Sequence, residues 1–246
     1  MPRRWLIFPF NRYILYNIIT KPKKKIMNSN FKYGIFDLDG TLVNSIPTYT
    51  ETFCEMLEQG FAISGQDVEE YYLNSTGTPL EEQFAHVLMA NGKPTDKVAD
   101  MAREFFDIVN RKDFVLFDGA KKTLSDLSDR KMTLFLTTGS EDDMTEKRLE
   151  RAGILKYFAL VLGSSKKEKG PWHIEKFART AKVPIDEFSK QAFYVGDGPY
   201  DMHIAKMFGI YTIGIPTTVS RNLLLESGAD EVVDGISDIG KLKIIG

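Results

Sequence analysis

Gly34-Ile35-Phe36-Asp37-Leu38-Asp39-Gly40-Thr41-Leu42 is the stretch that decides the fold. An apolar run ends abruptly in two carboxylates two residues apart, followed at once by Gly-Thr. Reading Lys32–Phe36 as a buried strand puts Asp37 at its carboxyl end, the place where open α/β sheets bind ligands. Asp39 lies just beyond, where a turn can aim it back at the same point. Two acidic groups converging on one spot repel each other, so a fold keeps them together mainly for chemistry or for a cation. The blander alternative is a pair of strand-end turn residues capping the next helix. That alternative leaves a second acidic pair, Asp197 and Asp201, unexplained.

Three later segments repeat the layout. Met132-Thr133-Leu134-Phe135-Leu136 ends in Thr137-Thr138-Gly139-Ser140. Phe158–Leu162 is followed by the basic loop Lys166-Lys167-Glu168-Lys169-Gly170. Ala192-Phe193-Tyr194-Val195 ends in Gly196-Asp197-Gly198-Pro199-Tyr200-Asp201. Four such ends on one edge of a parallel sheet would gather two Asp pairs, a hydroxyl and an ammonium.

This set, DxDGT, then Thr, then Lys, then GDxxxD, resembles the haloacid dehalogenase-like (HAD) hydrolase superfamily from about Phe31 to the C-terminus. The nearest branch is the phosphoglycolate-phosphatase-like and beta-phosphoglucomutase-like one with a helical cap. The resemblance implies an α/β fold, a doubly wound parallel sheet with an inserted α-helical cap. It also implies a Mg²⁺-dependent phosphatase of a small phosphorylated metabolite, working through an aspartyl-phosphate. A carboxylate is already ionised at neutral pH, so Asp37 needs no base to attack phosphorus. Mg²⁺ suits a site of few carboxylates plus substrate oxygens, and relieves the repulsion between nucleophile and phosphate. By resemblance its ligands are Asp37, Asp197 and the backbone carbonyl of Asp39, with Asp201 as an additional acidic partner. Asp39 would protonate the leaving alkoxide and later activate water. The branch of the family that displaces halide from carbon lacks this second Asp and the metal, so phosphoryl transfer is the expected chemistry.

Thr137 would place its hydroxyl on a phosphoryl oxygen, with Thr138 and Gly139 lining the same anion site ahead of a helix N-terminus. Thr137 is chosen over Thr138 on the family pattern of Thr, a small residue, then Gly. The other reading of Thr137 is an N-cap for the following helix, whose start Glu141, Asp142 and Asp143 also favour. A fixed ammonium stabilises the charge of a transferring phosphoryl group. Many relatives have Lys-Pro-x-Pro here, whereas this chain has Lys169-Gly170-Pro171-Trp172. Lys169 directly precedes the Pro-containing helix start and is preferred. Lys166 and Lys167 stay open, as does a simple solvated loop.

Between the first and second motifs the character changes. Thr48–Gln59, Val68–Leu73, Leu80–Ala90 and Thr95–Asn110 have helical patterning, separated by Gly60, Gly65, Gly77 and Gly92, and no strand alternation is evident. Residues 47–119 are therefore expected to form the helical cap, with 31–46 and 120–246 as the catalytic core. Linkers near Ser45-Ile46-Pro47 and Phe117-Asp118-Gly119 suggest a hinged lid. Ser45 and the Thr76-Gly77-Thr78-Pro79 loop, Gly77 and Thr78 above all, are the candidate substrate contacts by resemblance, an ordinary interhelix turn being the alternative for the loop. Asn44 stands where relatives often carry Asp. Beyond the last motif, Ile204–Phe208 reads as the start of a helix and Tyr211–Ile215 as the final strand.

The 246 residues are 43% hydrophobic with a formal net charge of -2, enough for a core and with no electrostatic case for nucleic acid. Cys54 is the only cysteine, which rules out an intrachain disulfide and is compatible with a cytoplasmic setting. His86, His173 and His203 show no metal-ligand spacing. Residues 1–30 form an N-terminal extension expected to lie outside the fold. Trp5–Thr20 is apolar but interrupted by Pro9, Asn11, Arg12 and Asn17, too short and broken for a membrane span, and no stable membrane association is expected. It reads as a basic targeting or membrane-surface segment, a signal anchor or a translation start placed too early. Met27 would make a natural start, and residues 1–26 are expected to pack poorly against the core. Two rivals to the phosphatase reading are a phosphomutase on the same core and a non-catalytic phosphate-binding protein.

Overall fold

The apolar runs are strands because each is covered on both faces, as a parallel sheet with crossover helices requires. A computed structural model describes residues 31–75, 78–112 and 114–245. The N-terminal extension, with the loose packing expected of residues 1–26, lies outside the described residues, as do Thr76 and Gly77. In chain order, β1 (Tyr33–Phe36) and the short β2 (Val43–Asn44) precede four helices. These are α1 (Ile46–Phe61), α2 (Gln66–Asn74), α3 (Leu80–Ala90) and α4 (Val98–Arg111). The chain returns through β3 (Val115–Leu116) and then alternates. It runs α5 (Ala120–Asp129), β4 (Thr133–Thr137), α6 (Asp142–Arg151), β5 (Phe158–Leu162), α7 (Pro171–Ala181) and α8 (Ile185–Lys190). β6 (Ala192–Gly196), α9 (Pro199–Met207), β7 (Tyr211–Gly214), α10 (Arg221–Glu226) and β8 (Glu231–Val232) follow.

The main sheet has the order β5-β4-β1-β6-β7-β8 with every pairing parallel. Alternation within β1 sends side chains to two separate cores. Phe36 joins Leu134, Leu136, Phe193 and Val195 under Leu124 and Leu127 of α5 and Leu149 of α6. Tyr33 and Ile35 join Phe135 and Tyr194 under Phe177 of α7, Phe188 of α8 and Ile204 of α9. The doubly wound parallel sheet expected from the sequence is thus the observed one. β1 is the point where the order reverses, with β4 on one side and β6 on the other, so a crevice opens at its carboxyl end.

The segment between β2 and β3 builds its own core from Phe53, Leu57, Phe84, Val87, Phe105 and Val109. Phe53 stacks on Phe84 with ring centroids 4.5 Å apart. Phe114, in the return linker, packs against this core and against the sheet core alike.

Three expectations need correction. β2 and β3 form an antiparallel pair at the two linkers, where no strand was expected, because two residues are too few to show alternation. α9 begins at Pro199 rather than at Ile204; Pro at the first helical position needs no N–H partner, and it brings Asp201 into the first turn. β7 is followed by another strand, β8, whose ladder covers only Ile213↔Glu231 and Gly214↔Val232. No helix among the described residues is long and apolar enough to cross a membrane.

Candidate active site

The site is assembled at the carboxyl ends of β1, β4 and β6. Asp37 follows β1 directly and is held there by its own N–H donating to the Val195 carbonyl at 3.0 Å. The chain then turns sharply. Gly40 has φ +81, and a Cβ on it would run into the Asp197 carboxylate. Only glycine satisfies both constraints, which explains the Gly of the DxDGT motif physically. Thr41 Oγ1 lies 3.2 Å from Asp37 Oδ2 and 3.3 Å from Asp197 Oδ1, close enough to donate to either. Thr218 donates to the other Asp197 oxygen, and Thr217 ties its loop to the Gly40 carbonyl at 2.5 Å.

Asp37, Asp197 and Asp201 are all buried and each offers a carboxylate oxygen within 4.8 Å of the others. Lys169 Nζ donates to Asp37 Oδ1 and to Asp201 Oδ1, both at 2.6 Å. Lys166 and Lys167 are exposed, so of the three candidate lysines only Lys169 is brought to the acids. Its loop is braced by Tyr200 Oη donating to the Lys169 carbonyl at 2.9 Å and Trp172 Nε1 donating to the Glu168 carbonyl at 2.7 Å. Asp201 also accepts from Tyr194 Oη at 2.8 Å and from the Gly198 N–H at 3.3 Å.

One ammonium does not neutralise three buried carboxylates. Burial, then the Asp201 charge, pushes Asp197 up to about 7. Burial, against the opposing pull of Lys169, also raises Asp37 well above the ordinary carboxylate range. Lys169 is held well above its usual value: burial would lower it, but Asp201 and Asp37 outweigh that cost. Three hard oxygen donors carrying unbalanced negative charge form a donor set that fits a small divalent cation.

Asp39 is placed differently. Its carboxylate is outside the three-acid group and faces the helical insert. Oδ1 accepts from Arg148 Nη2 at 2.6 Å and from Tyr49 Oη at 3.2 Å; Oδ2 accepts from Ser140 Oγ at 3.0 Å. Burial alone would raise its pKa, but the Arg148 guanidinium outweighs this and holds the carboxyl below its usual value. Ser45 is fully buried with its hydroxyl beside the same carboxylate, outside good hydrogen-bond geometry.

Thr137 ends β4 and is 1% exposed, and its Oγ1 is 2.6 Å from His173 Nδ1 on α7. The N-cap of α6 is Glu141, so the capping reading of Thr137 does not hold; Asp142 and Asp143 do fill the first turn. Thr138 is equally buried, and its hydroxyl accepts the Ser140 N–H at 3.1 Å. Gly139 is exposed, with open space where a Cβ would stand, and its carbonyl accepts from Ser164 Oγ at 2.5 Å. Thr78 is exposed in the insert, its carbonyl held by Gln83 Nε2 at 3.1 Å.

Sequence reasoning missed Thr41, Tyr49, Ser140, Arg148, His173, Tyr194 and Thr218. Thr41 and Ser140 were inside quoted motifs and could have been found by asking what satisfies each acid. Arg148 and Tyr49 gave no signal, because nothing in the order of the chain says that α6 and α1 face the same carboxylate.

The family model for haloacid dehalogenase-like hydrolase matches residues 34–215. The chain belongs to that family, and is one of its phosphatases. Similar curated proteins include validoxylamine A 7'-phosphate phosphatase of Streptomyces hygroscopicus subsp. limoneus, 26% identical over 85% of this chain and 96% of its own length. Phosphoglycolate phosphatase of Vibrio cholerae is 28% identical over 87% of this chain and 96% of its own. Among solved structures, one described as a predicted phosphoglycolate phosphatase from Haemophilus somnus superposes with a TM-score of 0.75. It has 23% identity and covers 86% of this chain and 97% of that one.

Proposed function

We propose that the protein is a Mg²⁺-dependent phosphatase of a small phosphorylated metabolite, a phosphoglycolate-like monoester, acting through an aspartyl-phosphate on Asp37. The observation that carries this reading is the division of labour between the two acids of one motif. Asp37 sits with Asp197, Asp201 and Lys169, where a phosphoryl group would be met by a nucleophile and an ammonium. Asp39 is held apart by Arg148, Tyr49 and Ser140. A protein that merely bound phosphate would need no second acid of this kind.

Asp37, Asp197, Asp201 and the Asp39 carbonyl would hold the Mg²⁺. When bound, the ion offsets the charge between the attacking carboxylate and the phosphoryl oxygens. Arg148 holds the resting Asp39 ionised, so Asp39 takes up a proton as the negative charge of the phosphate ester arrives beside it; the Asp37 carboxylate then attacks phosphorus and the ester oxygen leaves with that proton. Asp39, now a carboxylate, takes a proton from water, whose oxygen attacks phosphorus and frees Asp37 and inorganic phosphate. Lys169 stabilises the charge on the transferring group. Thr137 presents its hydroxyl to a phosphoryl oxygen, oriented by His173, and Thr138 and Gly139 shape the loop around it. Gly139 is suited to this, since nothing projects from it to block close approach. Residues 47–119 serve as a cap that excludes water and selects the substrate, with Ser45 and the 76–79 loop, including Gly77 and Thr78, at the substrate side.

The test is phosphate release from a panel of small phosphate esters with Mg²⁺ or EDTA, comparing wild type with Asp37→Asn. Release that needs Mg²⁺ and is lost in the variant supports the reading. A folded wild type that releases phosphate from no ester sinks it.

A further inference from the structure

The guanidinium of Arg148 belongs to α6 of the sheet domain, yet it touches three other parts of the chain. Nη2 donates to Asp39 Oδ1 at 2.6 Å, and Nη1 donates to Tyr49 Oη, on the first helix of the insert, at 3.3 Å. Its Cζ lies 3.7 Å from the ring centroid of Phe114, in the strap that returns from the insert to the sheet. The Arg148 side chain is 4% exposed. A buried cation is tolerated only when its partners are in place, and here two of the three come from the insert or its linker.

We propose that Arg148 is a positioning residue that fixes the Asp39 carboxylate and makes its placement depend on where the helical insert sits. This rests on the acid/base reading of Asp39 given above. Asp39 Oδ1 receives two donors, Arg148 and Tyr49, and Oδ2 receives Ser140, so the plane of the carboxylate is set from both ends. Tyr49 is itself oriented by the insert, its ring meeting Phe105 at 5.7 Å and Phe114 at 5.8 Å. Shifting the insert by about one ångström withdraws Tyr49 and Phe114 together. The guanidinium then loses a hydrogen-bond acceptor and a ring, and Asp39 loses a donor. The acid is in its working place only when the insert is seated, which ties proton transfer to closure over a substrate.

The experiment separates proton donation from everything else by changing the leaving group. The aryl oxide of p-nitrophenyl phosphate departs without a proton, whereas an alkoxide needs one. kcat/KM is compared for p-nitrophenyl phosphate and for the best-hydrolysed alkyl monoester of the panel above, in Arg148→Met, Arg148→Lys, Tyr49→Phe and Asp39→Asn. Asp39→Asn should lose about a hundredfold or more on the alkyl ester and far less on the aryl one. Arg148→Met should lose about tenfold or more on the alkyl ester with the aryl ester within about threefold, and Arg148→Lys should recover part of the difference. Tyr49→Phe should show a smaller loss of kcat/KM with the same ester selectivity, and decides the matter if Arg148→Met does not fold. Equal losses on both esters, or none, in folded Arg148→Met and Tyr49→Phe overturn the proposal. If Asp39→Asn itself shows no selectivity, it is the acid/base role of Asp39 that fails.

Discussion

At the scale of single residues, the site depends on which buried charges have partners. Lys169 is the one lysine of its loop in contact with Asp37 and Asp201. Lys169→Met should lower kcat by about 10²–10³; Met keeps the buried stem but drops the charge, so Asp37 and Asp201 lose their cation and stability should fall as well. Lys166→Ala and Lys167→Ala should stay within about twofold, both side chains being solvated. His173 is a different case. It is fully buried, and burial, then the nearby Lys169 charge, lowers its pKa to about 4. Between about pH 6.5 and about pH 4 the unfolded chain takes up a proton that the folded one refuses, so this group's contribution is complete above about 6.5 and is lost as pH falls towards 4. The contribution is at most about 3 kcal/mol. His173→Asn keeps a polar atom near Thr137 without titrating. Its stability, measured by urea unfolding from pH 7 to pH 4.5, should fall less steeply than that of wild type.

At the scale of elements, two turns are shaped by what they must not touch. Gly196 closes β6, and a Cβ there would meet Asp201 Cβ and Cγ at 2.5 Å. Gly196→Ala should therefore displace Asp201 from Lys169 and from the three-acid group, cutting Mg²⁺ affinity at least about tenfold by calorimetric titration. Gly139, at the turn after β4, has open space at the same position. Gly139→Ala should change stability by less than about 0.5 kcal/mol while raising KM, because the added methyl meets the substrate rather than the protein. Equal effects of the two alanines on stability would count against this account of the β6 turn.

At the scale of the whole molecule, the three carboxylates couple folding to metal and to pH. Asp37 and Asp197 have raised folded-state values, Asp197 about 7, mainly through burial. Without metal the folded protein holds protons that the unfolded chain releases from about pH 4 upward, so these groups favour folding at low pH and cost stability as pH rises towards 7. A cation that bound the ionised set in the native state alone would reverse this. The rise in Tm on adding Mg²⁺ should thus be larger at pH 7.5 than at pH 5 in a thermal scan. The His173 effect runs the other way with pH and is best measured with Mg²⁺ present. A Tm increment independent of pH would rule out these carboxylates as the metal's ligands.

The local sequence determined a great deal. Near-continuous apolar runs around Ile35, Phe135 and Tyr194 specified strands covered on both faces, and the polar ends of those strands named Asp37, Thr137 and Asp197 in chain order. Short-range geometry is legible because neighbouring residues cannot escape one another: Gly40 must turn, and Asp37 must end its strand. The rest was decided by tertiary structure. Which lysine reaches Asp37 depends on how the loop after β5 folds back under Trp172 and Tyr200. That Asp39 faces Arg148 and Tyr49, 109 and 10 residues away in the chain, follows from packing the helical insert against α6. A buried charge is tolerated only where distant segments bring it a partner, and one-dimensional spacing carries no record of which segments those are.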